Sequence, residues 1–256
     1  MQSQITILGS GTCVPSLVRN PCSFFMQTGG QQLLFDCGPG VTRRLLEIGV
    51  SIFEITHLFI SHFHPDHIGE LASLLFARKY PMPPPQQGPL TIVAGKGFSA
   101  FFDGLKAVYG DWIVLPPSRF SVIEMDTTGP DSRTFPSFCV TSTPVAHRPE
   151  SLAYRIVDAA GKVLVYSGDT DVCNSLVTIA ADADLMICES ALPDDQKVAG
   201  HLTPSEAGRI AQAAEVRRLV LTHFYPACED ADIEKQCRRT YNGKVILATD
   251  KMTLTL

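Results

Sequence analysis

Ser61-His62-Phe63-His64-Pro65-Asp66-His67 places four ligand-type side chains within six positions, directly after the apolar run His57-Leu58-Phe59-Ile60. The run reads as a buried strand, and a strand end is where a rigid scaffold can hold a polar side chain in place. In an extended stretch, residues two apart point the same way, so His62 and His64 can converge on one ion. Asp66 and His67 then turn toward a second ion at the start of the following helix. Imidazole and carboxylate suit Zn²⁺ or a similar borderline ion, and two such ions close together can activate a shared water.

Working outward, the same arrangement recurs three times. Cys139-Val140-Thr141-Ser142-Thr143 leads into Pro144-Val145-Ala146-His147, Val163-Leu164-Val165-Tyr166 into Ser167-Gly168-Asp169, and Leu219-Val220-Leu221-Thr222 into His223. Asp169 can bridge two ions with its two oxygens. The set becomes His62, His64, His67, His147 and His223 with Asp66 and Asp169. A lone histidine at a strand end is ordinarily a hydrogen-bonded surface residue, so the joint pattern predicts the metal site.

Short β-rich runs alternate with amphipathic helical stretches along the chain. Strands are expected at Ile5–Leu8, Ser23–Gln27, Gln32–Phe35, Leu152–Val157, Lys162–Tyr166, Leu185–Cys188, Arg218–Leu221, Val245–Leu247 and Met252–Leu256. Helices are expected at Val41–Ile48 after Gly38-Pro39-Gly40, at Ile68–Lys79, and at Pro204–Ala213 with Thr203 as its cap. Phe98–Val108 carries a stripe of Phe101, Phe102, Leu105 and Val108 that suits a core or a dimer contact. Pro81–Pro89, with Phe76 and Tyr80 nearby, forms a loop that serves either as a lid over the site or as a surface crossover. Strands in both halves with helices between them predict two sheets packed face to face with helices outside, in one domain spanning 1–256.

Composition bounds the function. The 256 residues are 45% hydrophobic and 18% charged, as in a globular protein with a sizeable core. No apolar run is long enough to cross a bilayer, and Met1-Gln2-Ser3-Gln4 has no secretory character, so a cytoplasmic location is expected. The net charge of −5 supplies no general basic field for nucleic acid, and the pairs Arg217-Arg218 and Arg238-Arg239 read as solvated faces. Eight scattered cysteines without a C-x-x-C pair read as small buried hydrophobes rather than disulfides.

The run His62 to His67 has the H-x-H-x-D-H form of the metallo-β-lactamase superfamily, which the chain resembles over nearly its whole length. The resemblance implies an α/β fold, the four-layer αβ/βα sandwich. By it, His62, His64 and His147 hold one divalent ion, Asp66, His67 and His223 the other, and Asp169 lies between. Zinc is the expected metal, with manganese or iron as alternatives.

Within the superfamily the chain is most similar to the ribonuclease Z branch and its phosphodiesterase relatives. Three stretches carry this: Leu8-Gly9-Ser10-Gly11-Thr12-Cys13-Val14-Pro15-Ser16 with Arg19-Asn20-Pro21; Leu34-Phe35-Asp36-Cys37-Gly38-Pro39-Gly40; and Gly200-His201-Leu202-Thr203, 22 residues before His223. The resemblance gives His201 the role of facing the scissile phosphate and stabilising or protonating it, and Asp66 that of orienting the nucleophile. It also implies a homodimer.

Ribonuclease Z proteins carry a long tRNA-gripping arm between the equivalents of His147 and Asp169. Only 21 residues separate those positions here, and Asp158-Ala159-Ala160-Gly161 marks a hairpin turn. Proline also stands at position 65, where that branch usually has glycine. A phosphodiesterase acting on a small or single-stranded ester is therefore expected, with tRNA a doubtful partner. The alternatives are a ribonuclease Z-type tRNA 3′ endonuclease, an arylsulfatase, an ester or lactone hydrolase, a redox-active iron protein, and a metal-binding sensory protein without catalysis.

Overall fold

The computed structural model describes residues 2–81 and 88–256. In the first half, β1 (Gln4–Gly9), β2 (Ser23–Thr28) and β3 (Gln31–Phe35) lead through α1 (Val41–Glu47) to β4 (His57–Ile60). Then come α2 (Pro65–Ile68), α3 (Leu71–Lys79), β5 (Leu90–Gly95), α4 (Phe98–Tyr109) and β6 (Phe120–Met125). The second half opens with β7 (Asp131–Phe135), β8 (Phe138–Pro144), β9 (Leu152–Asp158) and β10 (Val163–Tyr166). It continues through α5 (Asn174–Ile179), β11 (Leu185–Glu189), α6 (Pro204–Ala213), β12 (Arg218–Thr222), α7 (Ile233–Cys237), β13 (Lys244–Leu247) and β14 (Thr253–Thr255).

These strands form two seven-stranded sheets, ordered β14-β1-β2-β3-β4-β5-β6 and β13-β12-β11-β10-β9-β8-β7. Each sheet is antiparallel on one side and parallel on the other, the parallel runs being β3 to β6 and β10 to β13. A parallel strand buried on both faces reads as a continuous apolar run. In β3 and β4, Phe35 and Phe59 belong to the core between the sheets, while Leu34 and Leu58 belong to a second core with α1, α3 and α4. The inter-sheet core centres on stacked rings, Phe24 on Phe35 at 4.3 Å and Phe35 on Phe59 at 4.7 Å, met edge-on by Tyr154 and Tyr166 of the opposite sheet. α6 packs on β11 and β12. The result is the expected αβ/βα sandwich.

Two expectations are corrected in their bounds, and one is met in part. The helix predicted over Ile68–Lys79 is two helices, because α2 starts earlier and breaks at Gly69-Glu70. A Cβ on Gly69 would lie 2.4 Å from the Pro65 carbonyl oxygen, and the Glu70 carboxylate turns aside to accept from Thr42 Oγ1 at 2.7 Å. In α4 the stripe is only partly covered: Phe98 and Phe102 are buried, but Val108 is exposed. The β9–β10 hairpin runs one residue longer on β9 and one shorter on β10, since Asp158 Oδ1 accepts the N–H groups of Ala160 and Lys162 at 2.9 Å each. Gly161 takes the left-handed φ of 77° that closes this turn.

All eight cysteines are free, and five of them are buried. The two arginine pairs are ion-paired or bonded to backbone: Arg217 to Asp184, Arg218 to the Thr255 carbonyl, Arg238 to Glu234 and Arg239 to Asp194. No helix among the described residues is long and apolar enough to cross a membrane.

Candidate metal centre

The parallel halves of both sheets point their carboxyl ends to one edge, the usual place for a site in open α/β sheets. β4 delivers His62 and His64 there; Pro65 at the first position of α2 starts the turn that brings in Asp66 and His67. β8 leads to His147, β10 to Asp169 and β12 to His223. His223 has a left-handed φ of 63°, rare for a residue with a Cβ, so its placement is over-determined by its surroundings. All seven predicted ligand residues thus meet at one edge.

They form two adjoining nests. Donor atoms of His62, His64, His147 and Asp169 lie within 4.8 Å of one another, and so do those of Asp66, His67 and His223. Nitrogen faces nitrogen in both: His147 Nε2 is 3.2 Å from His64 Nδ1, and His67 Nε2 is 3.4 Å from His223 Nε2. Asp169 Oδ1 is 3.3 Å from His67 Nε2, and Asp169 Oδ2 is 3.6 Å from His62 Nε2, so the carboxylate spans the nests.

The donor set fits a divalent cation. His62 Nε2 and Asp169 Oδ1 are buried without any hydrogen-bond partner among the described residues, whereas buried polar atoms are ordinarily paired. The outer nitrogens of His67 and His147 are occupied. His67 Nδ1 donates to Asp36 Oδ2 at 2.7 Å and His147 Nδ1 to the Gly200 carbonyl at 2.9 Å, leaving each Nε2 bare toward the nest.

Electrostatics agree. Burial, with His67 alongside, holds His62 well below its ordinary pKa, so its ring is neutral. Burial alone would raise the Asp169 pKa, but the surrounding His223, His67 and His62 hold it ionised. Asp66 is held ionised too, its burial outweighed by His223 and His67. At His67, burial favours the neutral ring but Asp169 and Asp36 prevail and retain a proton, which a metal cation on Nε2 would replace.

His201 stands beside the nests. Its ring lies parallel to His223, at 14° and 5.4 Å, and Nδ1 is 3.9 Å from Asp169 Oδ2. Nδ1 also meets Glu189 Oε1 at 3.1 Å. Burial lowers the His201 pKa, but the bond and charge of Glu189 outweigh it and the net shift is upward. Tyr225 edges onto His201 and His223 at the rim, with its hydroxyl 3.7 Å from Cys13 Sγ. Asp66 lines a groove of about 330 Å³ walled by Pro15, Pro21, Pro39 and Pro65. Phe76 and Tyr80 pack on Trp112, and most of the Pro81–Pro89 loop, residues 82–87, lies outside the described residues.

Two supporting residues carry no assigned role in the sequence reading, Asp36 and Glu189. Each ends or follows an apolar strand, β3 and β11, as the ligands do; the same strand-end rule picks them out.

Residues 31–224 match the sequence profile of the β-lactamase superfamily domain. The chain belongs to the metallo-β-lactamase superfamily. This superfamily member is similar to the ribonuclease Z of Haloferax volcanii, at 27% identity over 309 residues, covering 99% of this chain and 95% of the relative. That alignment is longer than the 256 residues here, so the relative has residues this chain lacks. Among solved structures it is similar to the metallo-β-lactamase fold protein YhfI of Bacillus subtilis, with a TM-score of 0.85, 25% identity and full coverage of both chains. It is also similar to the short form of human tRNase Z, with a TM-score of 0.78 and 27% identity over 98% of each. This member of the superfamily is a metal-dependent hydrolase.

Proposed function

We propose that the chain hydrolyses phosphodiesters, with RNA of the ribonuclease Z kind as its substrate class. The observation that carries this is His201: a histidine beside a ready-made cation nest, with its Nδ1 claimed by Glu189 and its upward shift favouring the protonated ring. Relatives named ribonuclease Z support RNA better than they support the small ester that the sequence favours.

His62, His64 and His147 would hold one ion and Asp66, His67 and His223 the other, with Asp169 shared and zinc the metal best suited to this imidazole and carboxylate set. When bound, the ions supply Lewis-acid chemistry, lowering the pKa of water and offsetting charge on phosphoryl oxygens. Asp66, ionised and open to the groove, orients the nucleophile by accepting a hydrogen bond from it. His201 gives the Nε2 proton to the leaving oxygen while Glu189 holds Nδ1. Asp36 and the Gly200 carbonyl fix the rings of His67 and His147.

One observation favours a second reading, a smaller phosphodiester. The segment between His147 and Asp169 closes as the tight β9–β10 turn at 159–162, with no room for a protruding arm. The test is zinc-loaded protein assayed on a tRNA precursor with a 3′ trailer and on bis(p-nitrophenyl) phosphate. Cleavage of the precursor at the trailer supports the first reading. Turnover of the small ester alone supports the second, and turnover of neither sinks both.

A further inference from the structure

We infer that Lys197 is a positioning residue for His201; the inference rests on the phosphodiesterase reading above. Residues 195–199 are exposed, with little apolar contact to hold them. A loop of this kind is ordinarily free to move, yet it carries His201 to within reach of the nests. Lys197 is its anchor. The ammonium group has three donors, and each is used: Asp171 Oδ1 at 2.6 Å, Glu206 Oε2 at 2.6 Å and the carbonyl of His201 itself at 2.5 Å.

Each contact ties a different part of the site. Asp171 lies two residues beyond Asp169; its other oxygen accepts Gly200 N at 2.9 Å and its N–H donates to the Ala146 carbonyl at 2.8 Å. Gly200 in turn accepts from His147 Nδ1. Glu206 caps α6 by accepting Thr203 N at 3.0 Å. Lys197 therefore joins the segment after β10, the start of α6 and the His201 backbone at one point. The His201 ring is then held at Nδ1 by Glu189 and at its backbone by Lys197.

An isolated exposed ion pair contributes little, but here the side chains of Lys197, Asp171 and Glu206 are 31%, 30% and 22% exposed and share one ammonium. The value of the network is geometric, because a misplacement of about 1 Å in a catalytic group can cost roughly a hundredfold in rate.

The test uses the full chain loaded with zinc and a short oligoribonucleotide as probe, a phosphodiester whose alkoxide leaving group needs a proton. Lys197→Met should lower kcat by tenfold or more, leave KM within about twofold, and leave metal content and thermal midpoint near those of the parent. Lys197→Arg, which keeps the charge and donors, should recover part of the loss. In a His201→Ala background, Lys197→Met should cost nothing further, because its effect passes through His201. Unchanged kcat in Lys197→Met, an equal cost in both backgrounds, or a loss that follows metal content would each overturn the inference. If the parent itself turns over no phosphodiester, the failure lies with the phosphodiesterase reading; if the parent is active and His201→Ala alone leaves turnover intact, His201 has no role for Lys197 to support and the inference is overturned.

Discussion

Glu189 Oε1 lies 3.1 Å from His201 Nδ1, and the Glu189 side chain is 1% exposed. The same carboxylate accepts Thr170 N at 2.6 Å and Leu202 N at 3.0 Å, so it links the residue after Asp169 to the residue after His201. Burial raises the Glu189 pKa, and His201 opposes that rise, as expected of a pair that shares a proton's charge. Glu189→Gln keeps the shape but removes the charge. Turnover of a phosphodiester by this variant should fall at least tenfold while thermal stability changes by no more than about 1–3 kcal/mol, the range for a weakened buried hydrogen bond. Parent-like turnover would separate Glu189 from the chemistry.

Asp36 should control metal affinity. It is fully buried at the end of β3, with a left-handed φ of 61°, and accepts from Ser61 N at 2.7 Å, Ser61 Oγ at 2.8 Å, Tyr166 OH at 2.6 Å and His67 Nδ1 at 2.7 Å. Asp36→Asn turns one acceptor into a donor that faces other donors, so the His67 ring loses its fixed orientation. Zinc affinity measured by chelator competition should fall roughly 10–100-fold, the usual cost of losing the partner of a ligating histidine. Undiminished affinity would count against His67 as a ligand.

Much of this was legible because the ligands obey one local rule, a buried strand followed at once by a ligand-type residue. His62, His147, Asp169 and His223 follow four different strands, β4, β8, β10 and β12, each within one to three residues of the strand's end. The break at Gly69-Glu70 was not legible, since it depends on a contact with α1, a long-range partner that helical spacing cannot report. Lys197 was hidden for a similar reason. Its three partners lie in three segments, and an exposed lysine in a polar loop looks like any other. The arm's absence was legible as the short spacing between His147 and Asp169, which by itself names no substrate.

His57 predicts an acid-sensitive fold. It lies in β4 with its ring edge-on to Phe135 at 4.8 Å and Phe138 at 5.2 Å, and burial pushes its pKa from 6.5 down to about 4. The folded state holds the neutral ring, whereas the unfolded chain takes up a proton below pH 6.5. This contribution to stability is therefore complete above pH 6.5 and is lost as pH falls toward 4. His57→Phe keeps the ring and removes the titration, and the Thr56 hydroxyl still donates to the Gln32 carbonyl at 3.0 Å. Denaturant melts between pH 7 and 4 should show a flatter fall for the variant. Identical slopes would mean that His57 is not the titrating group.

Two glycines should respond to alanine in opposite directions. A Cβ on Gly38 would lie 2.0 Å from the Asp66 carbonyl oxygen and 2.9 Å from Pro21 Cβ. The neighbouring Cys37 N donates to the His67 carbonyl at 2.6 Å, and Glu70 N to the Cys37 carbonyl at 2.9 Å, so this loop is laced against α2 and cannot swing away. Gly38→Ala must push Asp66 by about 1 Å, which should lower turnover roughly a hundredfold and stability by about 1–3 kcal/mol. Gly104 is exposed within α4, and an added Cβ there meets nothing within 4 Å. Gly104→Ala should raise stability by about 0.5–1 kcal/mol, because alanine has less backbone freedom to lose in a helix, and should leave turnover unchanged. Urea melts and steady-state rates on both variants decide the matter: a Gly38→Ala protein with parent-like rates would show that the loop yields without moving Asp66.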